Sequence, residues 1–290
     1  MKKYIIIMGL VMVTIGMVLI SVSLAVAQDS GEFAVPLSDP AKRGKLKAHL
    51  NSGSITIIGT ARKDVLVKYA SEQDRDNEES EDNFKNKNKD KGDQSQSKSG
   101  LRKIGGSTMD LEVSEAGNSV IVKSDSWSNE LDLTIEVPSG IDLVAHTYNN
   151  GDLLIKNIQG IVELTNYNGE IVAENISGSV VANTFNGDLR VTFAKVTENT
   201  PMSFSTYNGD VDLTLPSTFK GTMKMKTEQG DIYTDFDAKM IKNSPVTNKD
   251  TKSGVYKVAI NTWTIGEING GGPEFLLKNY HGDIYIRKNK

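Results

Sequence analysis

A short phrase recurs along the second half of the chain and constrains the fold more than any other feature. It reads Asn150-Gly151-Asp152-Leu153, Asn168-Gly169-Glu170-Ile171, Asn186-Gly187-Asp188-Leu189, Asn208-Gly209-Asp210-Val211, Gln229-Gly230-Asp231-Ile232 and His281-Gly282-Asp283-Ile284. The first three glycines are 18 residues apart and the next steps are 22 and 21. Gly160 and Gly178 fall midway between the early ones, so each unit of 18–22 residues holds two strands and two turns. A fixed period of this size means stacked units, each covering its neighbour's apolar face.

Within each unit the pattern has period two. The second residue after each glycine is Leu153, Ile171, Leu189, Val211, Ile232 or Ile284. The fourth is Ile155, Ala173, Val191, Leu213, Thr234 or Ile286, with mixed residues between. One face is therefore buried and the other variable, as in a strand packed on one side. No amphipathic helix is evident. The expectation is an all-β chain, a parallel β-helix (β-solenoid) of about 18–22 residues per coil. The alternative is an antiparallel β-sandwich, which equivalent columns at a regular 18-residue period disfavour. Both ends of a solenoid need capping. The strands before residue 71 are expected to cap one end, and the charged finish Arg287-Lys288-Asn289-Lys290 to discourage pairing at the other.

The flanks set the domain limits. Lys2 and Lys3 precede an apolar run, Tyr4 to Ala27, that closes in Ala25-Val26-Ala27. This reads as a signal peptide over 1–27 and predicts an exported protein: periplasmic, at the cell surface or secreted. If the run is not cleaved it is long enough for a membrane anchor. Residues 28–290 form a single β-solenoid domain with a charged insertion at 71–100. That insertion holds nine acidic and six basic residues and one aromatic, Phe84. It cannot bury enough apolar surface to offset its ordering entropy and is expected to be disordered.

Composition removes several chemistries. The chain has no cysteine, so disulfides, thiol catalysis and zinc fingers are excluded. A net charge of −4 gives no basic excess for nucleic acid. His49, His146 and His281 are scattered, with no catalytic spacing, and no catalytic residue, cofactor or dedicated metal site is expected.

Three columns are candidates for something beyond folding. The acids Asp152, Glu170, Asp188, Asp210, Asp231 and Asp283 are expected to act in turns, with cation binding as a weak alternative. Asn150, Asn168, Asn186 and Asn208 are expected to form an amide ladder. Tyr167, Phe185, Tyr207 and Tyr280, each two residues before a glycine, could stack on a ligand if they face outward. Tyr148 is offset by one. Phe185 has no polar group to offer water, which favours inward packing at the coil corners. Trp127 and Trp263 read equally well as core residues.

The repeat phrases, with Pro36-Leu37-Ser38-Asp39-Pro40, Asn51-Ser52-Gly53-Ser54-Ile55-Thr56-Ile57-Ile58-Gly59 and Val137-Pro138-Ser139-Gly140-Ile141-Asp142-Leu143, resemble the putative-adhesin family of bacterial envelope β-strand-repeat proteins. The resemblance covers most of 36–290 outside the insertion. It implies a right-handed parallel β-helix and carries no catalytic residues. The expected function is non-enzymatic: an envelope or surface protein binding a polysaccharide or protein partner along its strand faces. The alternatives are a carbohydrate-active β-helix enzyme and a structural or stress-related envelope component.

Overall fold

A computed structural model describes residues 30–71, 110–197, 199–241, 246–249, 256–259 and 263–289. The signal peptide expected over 1–27 lies outside the described residues, as does the 71–100 insertion apart from Ser71, which ends a strand.

Among the described residues every regular element is a strand. Before the charged segment come β1 (Ser30–Pro36), β2 (Lys45–Ser52), β3 (Ile55–Thr60) and β4 (Asp64–Ser71). After it come β5 (Glu112–Ala116), β6 (Ser119–Ser124), β7 (Leu131–Pro138), β8 (Asp142–Asn149) and β9 (Leu153–Lys156). The regular repeats give β10 (Ile161–Asn168), β11 (Ile171–Ile176), β12 (Ser179–Asn186), β13 (Leu189–Phe193), β14 (Met202–Ser205) and β15 (Val211–Leu215). The remainder is β16 (Gly221–Lys226), β17 (Ile232–Thr234), β18 (Ala238–Ile241), a hairpin of β19 (Val246–Lys249) and β20 (Tyr256–Ala259), then β21 (Thr264–Ile268), β22 (Glu274–Lys278) and β23 (Ile284–Lys288).

Successive strands alternate between two large sheets. The first is ordered β1-β4-β7-β3-β9-β11-β13-β15-β23-β17, the second β18-β21-β16-β22-β14-β12-β10-β8-β2-β6-β5. Within the repeats all pairing is parallel, with Val162 beside Val180 and Ile171 beside Leu189, and the register slips once, between Ala173 and Ile176 of β11 against β13. A solenoid-like stack of two-strand units follows directly from the 18-residue period. Leu153, Ile171, Leu189, Val211 and Ile284 form one buried column. It faces Leu143, Val162, Val180, Phe275 and Met223 of the second sheet in a single core. Each such aliphatic side chain contributes roughly 1.5–3 kcal/mol on burial.

Antiparallel strands finish three of the four sheet ends, the fourth being β17, parallel to β23. β4 pairs antiparallel with β7 and β1 with β4, β5 with β6, and β21 with β16, followed by β18. The sandwich alternative thus survives only as edge trim, where it removes the unpaired parallel edges a solenoid leaves.

The capping expectation holds for β1 and β4, which close one end of the first sheet beyond β7, but chain order departs from it elsewhere: β2 sits between β6 and β8, and β3 between β7 and β9. Nor does the charged finish guard an end, because β23 lies between β15 and β17, and β22 between β14 and β16. Val211 and Ile232 are both neighbours of Ile284, 73 and 52 residues away in the chain. The period-two pattern of β23 satisfies an interior slot as well as a terminal one, and the interior slot offers two partners instead of one. At the end of the first sheet the three-residue β17 leaves Ile232 half-buried and Thr234 exposed.

Candidate functional site

The turn linking the second sheet to the first is built by three columns working together. Each repeat glycine stands against the glycine carbonyl of the next coil: a Cβ on Gly187 would lie 2.0 Å from the Gly169 oxygen, and one on Gly230 would lie 1.9 Å from that of Gly282. No other residue fits there.

The acids that follow the glycines tie the coils through their backbones. Oδ1 of Asp152 accepts the Glu170 N–H at 2.7 Å, Asp188 the Asp210 N–H at 2.9 Å, Asp210 the Asp283 N–H at 2.8 Å, and Asp283 the Asp231 N–H at 2.8 Å. Asp132 and Ser54 continue the same arrangement toward β7. The exception is Glu170, whose longer carboxylate instead pairs with Arg190, which also binds Asp188 at 2.7 Å. The column is therefore occupied by turn bonds and one arginine. Among the described residues no group of three or more acids and histidines could hold a metal ion.

The amide ladder is shorter than expected. Nδ2 of Asn186 donates to Asn168 Oδ1 at 2.8 Å, and that of Asn208 to Asn186 Oδ1 at 2.7 Å. Asn150 adopts a left-handed φ of 52° at the extra residue in its turn. A further column escaped the sequence reading. Thr147, Asn166, Thr184, Thr206, Asn279 and Thr227 point inward and each donates to a repeat-glycine carbonyl of the neighbouring coil, at 2.7–3.2 Å. Its signal was present, as a Thr or Asn three residues before each glycine (four at Gly151).

The aromatic column faces outward, which overturns the inward-packing expectation. Tyr148, Tyr167, Phe185, Tyr207 and Tyr280 are 38–44% exposed along the corner of the second sheet. Their rings form one stack with centroid separations of 4.6–4.9 Å and planes within 6°. The strand spacing of about 4.8 Å imposes this distance, so each ring shields its neighbours' faces and Phe185 avoids water without entering the core. The offset at Tyr148 is absorbed by the extra residue in its turn. Trp127, from the loop after β6, stands edge-on against Tyr148 at 5.1 Å and 80°, and at 60% exposure it is not a core residue. Trp263 is half-buried, with the Lys224 ammonium 5.2 Å from its ring.

The two outer faces differ in character. That of the first sheet is charged and internally paired: Lys156 with Glu174, Arg190 with Glu170 and Asp188, Arg287 with Asp212. Beside the aromatic stack, the central strands of the second sheet present Ile161, Val181, Thr165, Asn183 and Ser205, with Glu163 the charge among them. Ile161 is 58% exposed. Ion pairs return at the two ends, Lys123–Glu112 and Lys224–Glu274. His49 and His146 are cross-strand neighbours on this face, and burial, with the His49 charge second, holds the His146 imidazole below its ordinary value.

Residues 11–269 match the family described as Toastrack DUF4097. No curated protein matches the chain. Among solved structures it is similar to a putative cell adhesion protein from Clostridium sporogenes ATCC 15579, with 13% identity over 90% of this chain and 100% of that one and a TM-score of 0.40. It is also similar to a putative adhesin from Bacteroides fragilis NCTC 9343, with 11% identity over 90% of this chain and 97% of that one and a TM-score of 0.32.

Proposed function

The chain belongs to the Toastrack DUF4097 family, and from that premise we propose that it is an exported, non-enzymatic envelope or cell-surface protein that binds a polymer or protein partner along the outer face of its second sheet. One observation carries this reading: a continuous stack of exposed rings borders the sparsely charged, partly apolar centre of a strand face, on a molecule whose opposite face is ion-paired. A contiguous exposed apolar strip costs solubility and is characteristic of interaction sites. Its repeat along the stack suits an extended partner better than a small molecule. The family resemblance in the repeat phrases agrees with this assignment, and with a right-handed coil. The basic start and apolar run at 2–27 support export.

The test is co-sedimentation of the purified chain with isolated bacterial envelopes, peptidoglycan and insoluble polysaccharides, with the supernatant assayed for released sugar. Saturable pelleting without release is expected. Val181→Glu places a second negative charge directly across from Glu163 without touching the core and should abolish pelleting. Released oligosaccharide would replace this reading with a carbohydrate-active enzyme, and pelleting indifferent to Val181→Glu would move the partner to another face.

A further inference from the structure

We propose that Trp127 and the polar groups of its loop form a subsite for one pyranose ring, with equatorial hydroxyls, of a neutral glycan. This rests on the reading of the second sheet's outer face as the binding surface and names its partner.

The geometry of the stack excludes most of its rings from this role. A sugar binds an aromatic residue by laying its C–H face on the ring face. The faces of Tyr167, Phe185 and Tyr207 are each covered on both sides at 4.9 Å or less, so only their edges meet solvent. Tyr148 has Tyr167 on one face and Trp127 5.1 Å away at a steep angle, and Tyr280, at the other end of the stack, has Tyr207 on one face and the His281 ring beside its edge at 4.7 Å. Trp127, its plane turned 80° from that of Tyr148, stands outside the stack and at 60% is the most exposed large apolar side chain among the described residues, which leaves indole surface for a ligand.

Its loop is held in place before any ligand arrives. The Asn129 N–H donates to Ser126 Oγ at 3.1 Å, and the Asn51 amide to the Asp125 carbonyl at 2.8 Å. Asn51 Oδ1 in turn lies 3.1 Å from His49 Nε2. Two residues before the indole in the same loop this fixes a carboxylate, Asp125, whose oxygens stand 3.9 Å from His49 Nε2 and 4.0 Å from Lys123 Nζ. Those separations are too long for hydrogen bonds, so the carboxylate retains acceptor capacity for hydroxyls. A pyranose with equatorial hydroxyls has flat C–H faces and a rim of O–H groups. The face matches the indole, and the rim matches Asp125 as acceptor and His49 and Lys123 as donors. An aromatic side chain of a protein partner would use the indole but gain nothing from Asp125.

Tryptophan fluorescence tests this, because the chain has only Trp127 and Trp263. In a full-length Trp263→Phe background, titration with cellotetraose and chitotetraose should give a saturable change in emission with at least one of them. Asp125→Asn should weaken it about tenfold, as expected for loss of one charge-assisted hydrogen bond. No saturable change with either glycan, or full affinity in Asp125→Asn, would overturn the subsite. The broader surface reading is judged separately. If Trp127→Ala, with an unchanged melting curve, still pellets with envelopes as the parent does, the surface stands and the subsite falls. If the glycan titrates Trp127 although nothing pellets, the subsite stands without the extended surface.

Discussion

Asn166 and Asn279 illustrate how far a single atom can be out of step with a repeat. They take the inward position that Thr147, Thr184, Thr206 and Thr227 hold in other coils and make the same bond to a glycine carbonyl. A threonine hydroxyl donates its one proton to that bond, whereas each asparagine adds only a long second bond, to the Glu170 carbonyl at 3.5 Å or the Asp283 carbonyl at 3.3 Å, and buries an Oδ1 that has no partner. An orphaned buried acceptor costs about 1–3 kcal/mol. Asn166→Thr and Asn279→Thr are therefore expected to stabilise the protein by about 1 kcal/mol each, raising the thermal midpoint by about 2–4 °C. A fall in midpoint would mean that the second acceptor is satisfied in solution. The opposite sign holds at Gly187, where φ is 152° and a Cβ would meet backbone at 2.0 Å. Gly187→Ala is expected to cost more than about 3 kcal/mol, since the clash is with a sheet carbonyl that cannot move alone. Urea unfolding measures both. The repeat made the glycines legible at once. The Thr/Asn column went unread because its residues are polar and attention to alternation treats polar as outward.

At the scale of a turn, the acids act through geometry rather than charge. Asp188 Oδ1 accepts the Asp210 N–H, a role an amide oxygen performs equally well. Asp188→Ala is expected to cost about 1 kcal/mol and Asp188→Asn clearly less, the remainder being its exposed Arg190 pair. Equal losses, or rescue by calcium, would return the column to a cation role. Proton linkage gives an independent check. The Asp231 N–H, and then the Tyr285 hydroxyl, hold Asp283 below its ordinary 3.8, and the Ser38 hydroxyl, followed by backbone N–H donors of Asn118 and Ser38, lowers Glu115 from 4.5. A lowered carboxylate contributes stability present above its unfolded value and lost as pH falls through the folded one. The same Asp283 bond pushes the Tyr285 phenol from 10.0 up to about 12, so its contribution is present below pH 10 and lost as pH rises toward 12. Stability should thus be flat at neutral pH, fall below about pH 4, and fall again between about 10 and 12. Asp283→Asn should flatten the acid limb. The strands, their buried faces and the turn role were all readable from period and alternation. The direction of the aromatic rings was not, because a tyrosine beside a turn fits either side, and only the strand spacing reveals that five of them can shelter one another.

Over the whole molecule, chain order and spatial order part company. Equivalent strands share one pattern, so nothing local tells β23 to pass by the end of the stack and enter between β15 and β17. The 21-residue step from Gly209 to Gly230 suggested adjacent coils, yet Gly282 stands between them. Solenoids ordinarily unravel from their ends repeat by repeat, but here each end coil is fastened by a coil distant in sequence. Equilibrium unfolding is expected to be a single transition among the described elements. Removing residues 274–290 should strip amide-exchange protection from Lys224 and Lys226 as well, since these positions of β16 face β22, and β16 has β22 and not β14 beside it. Retained protection would mean that β16 slides into the gap. The same wedge bears on how such a protein is made. A ribosome that has delivered every residue through β21 has still not supplied the piece that joins β14 to β16 and β15 to β17. Completion therefore waits for the synthesis of Lys288, and a product broken off early carries an open seam down both sheets, where a protease can tell it from the finished protein.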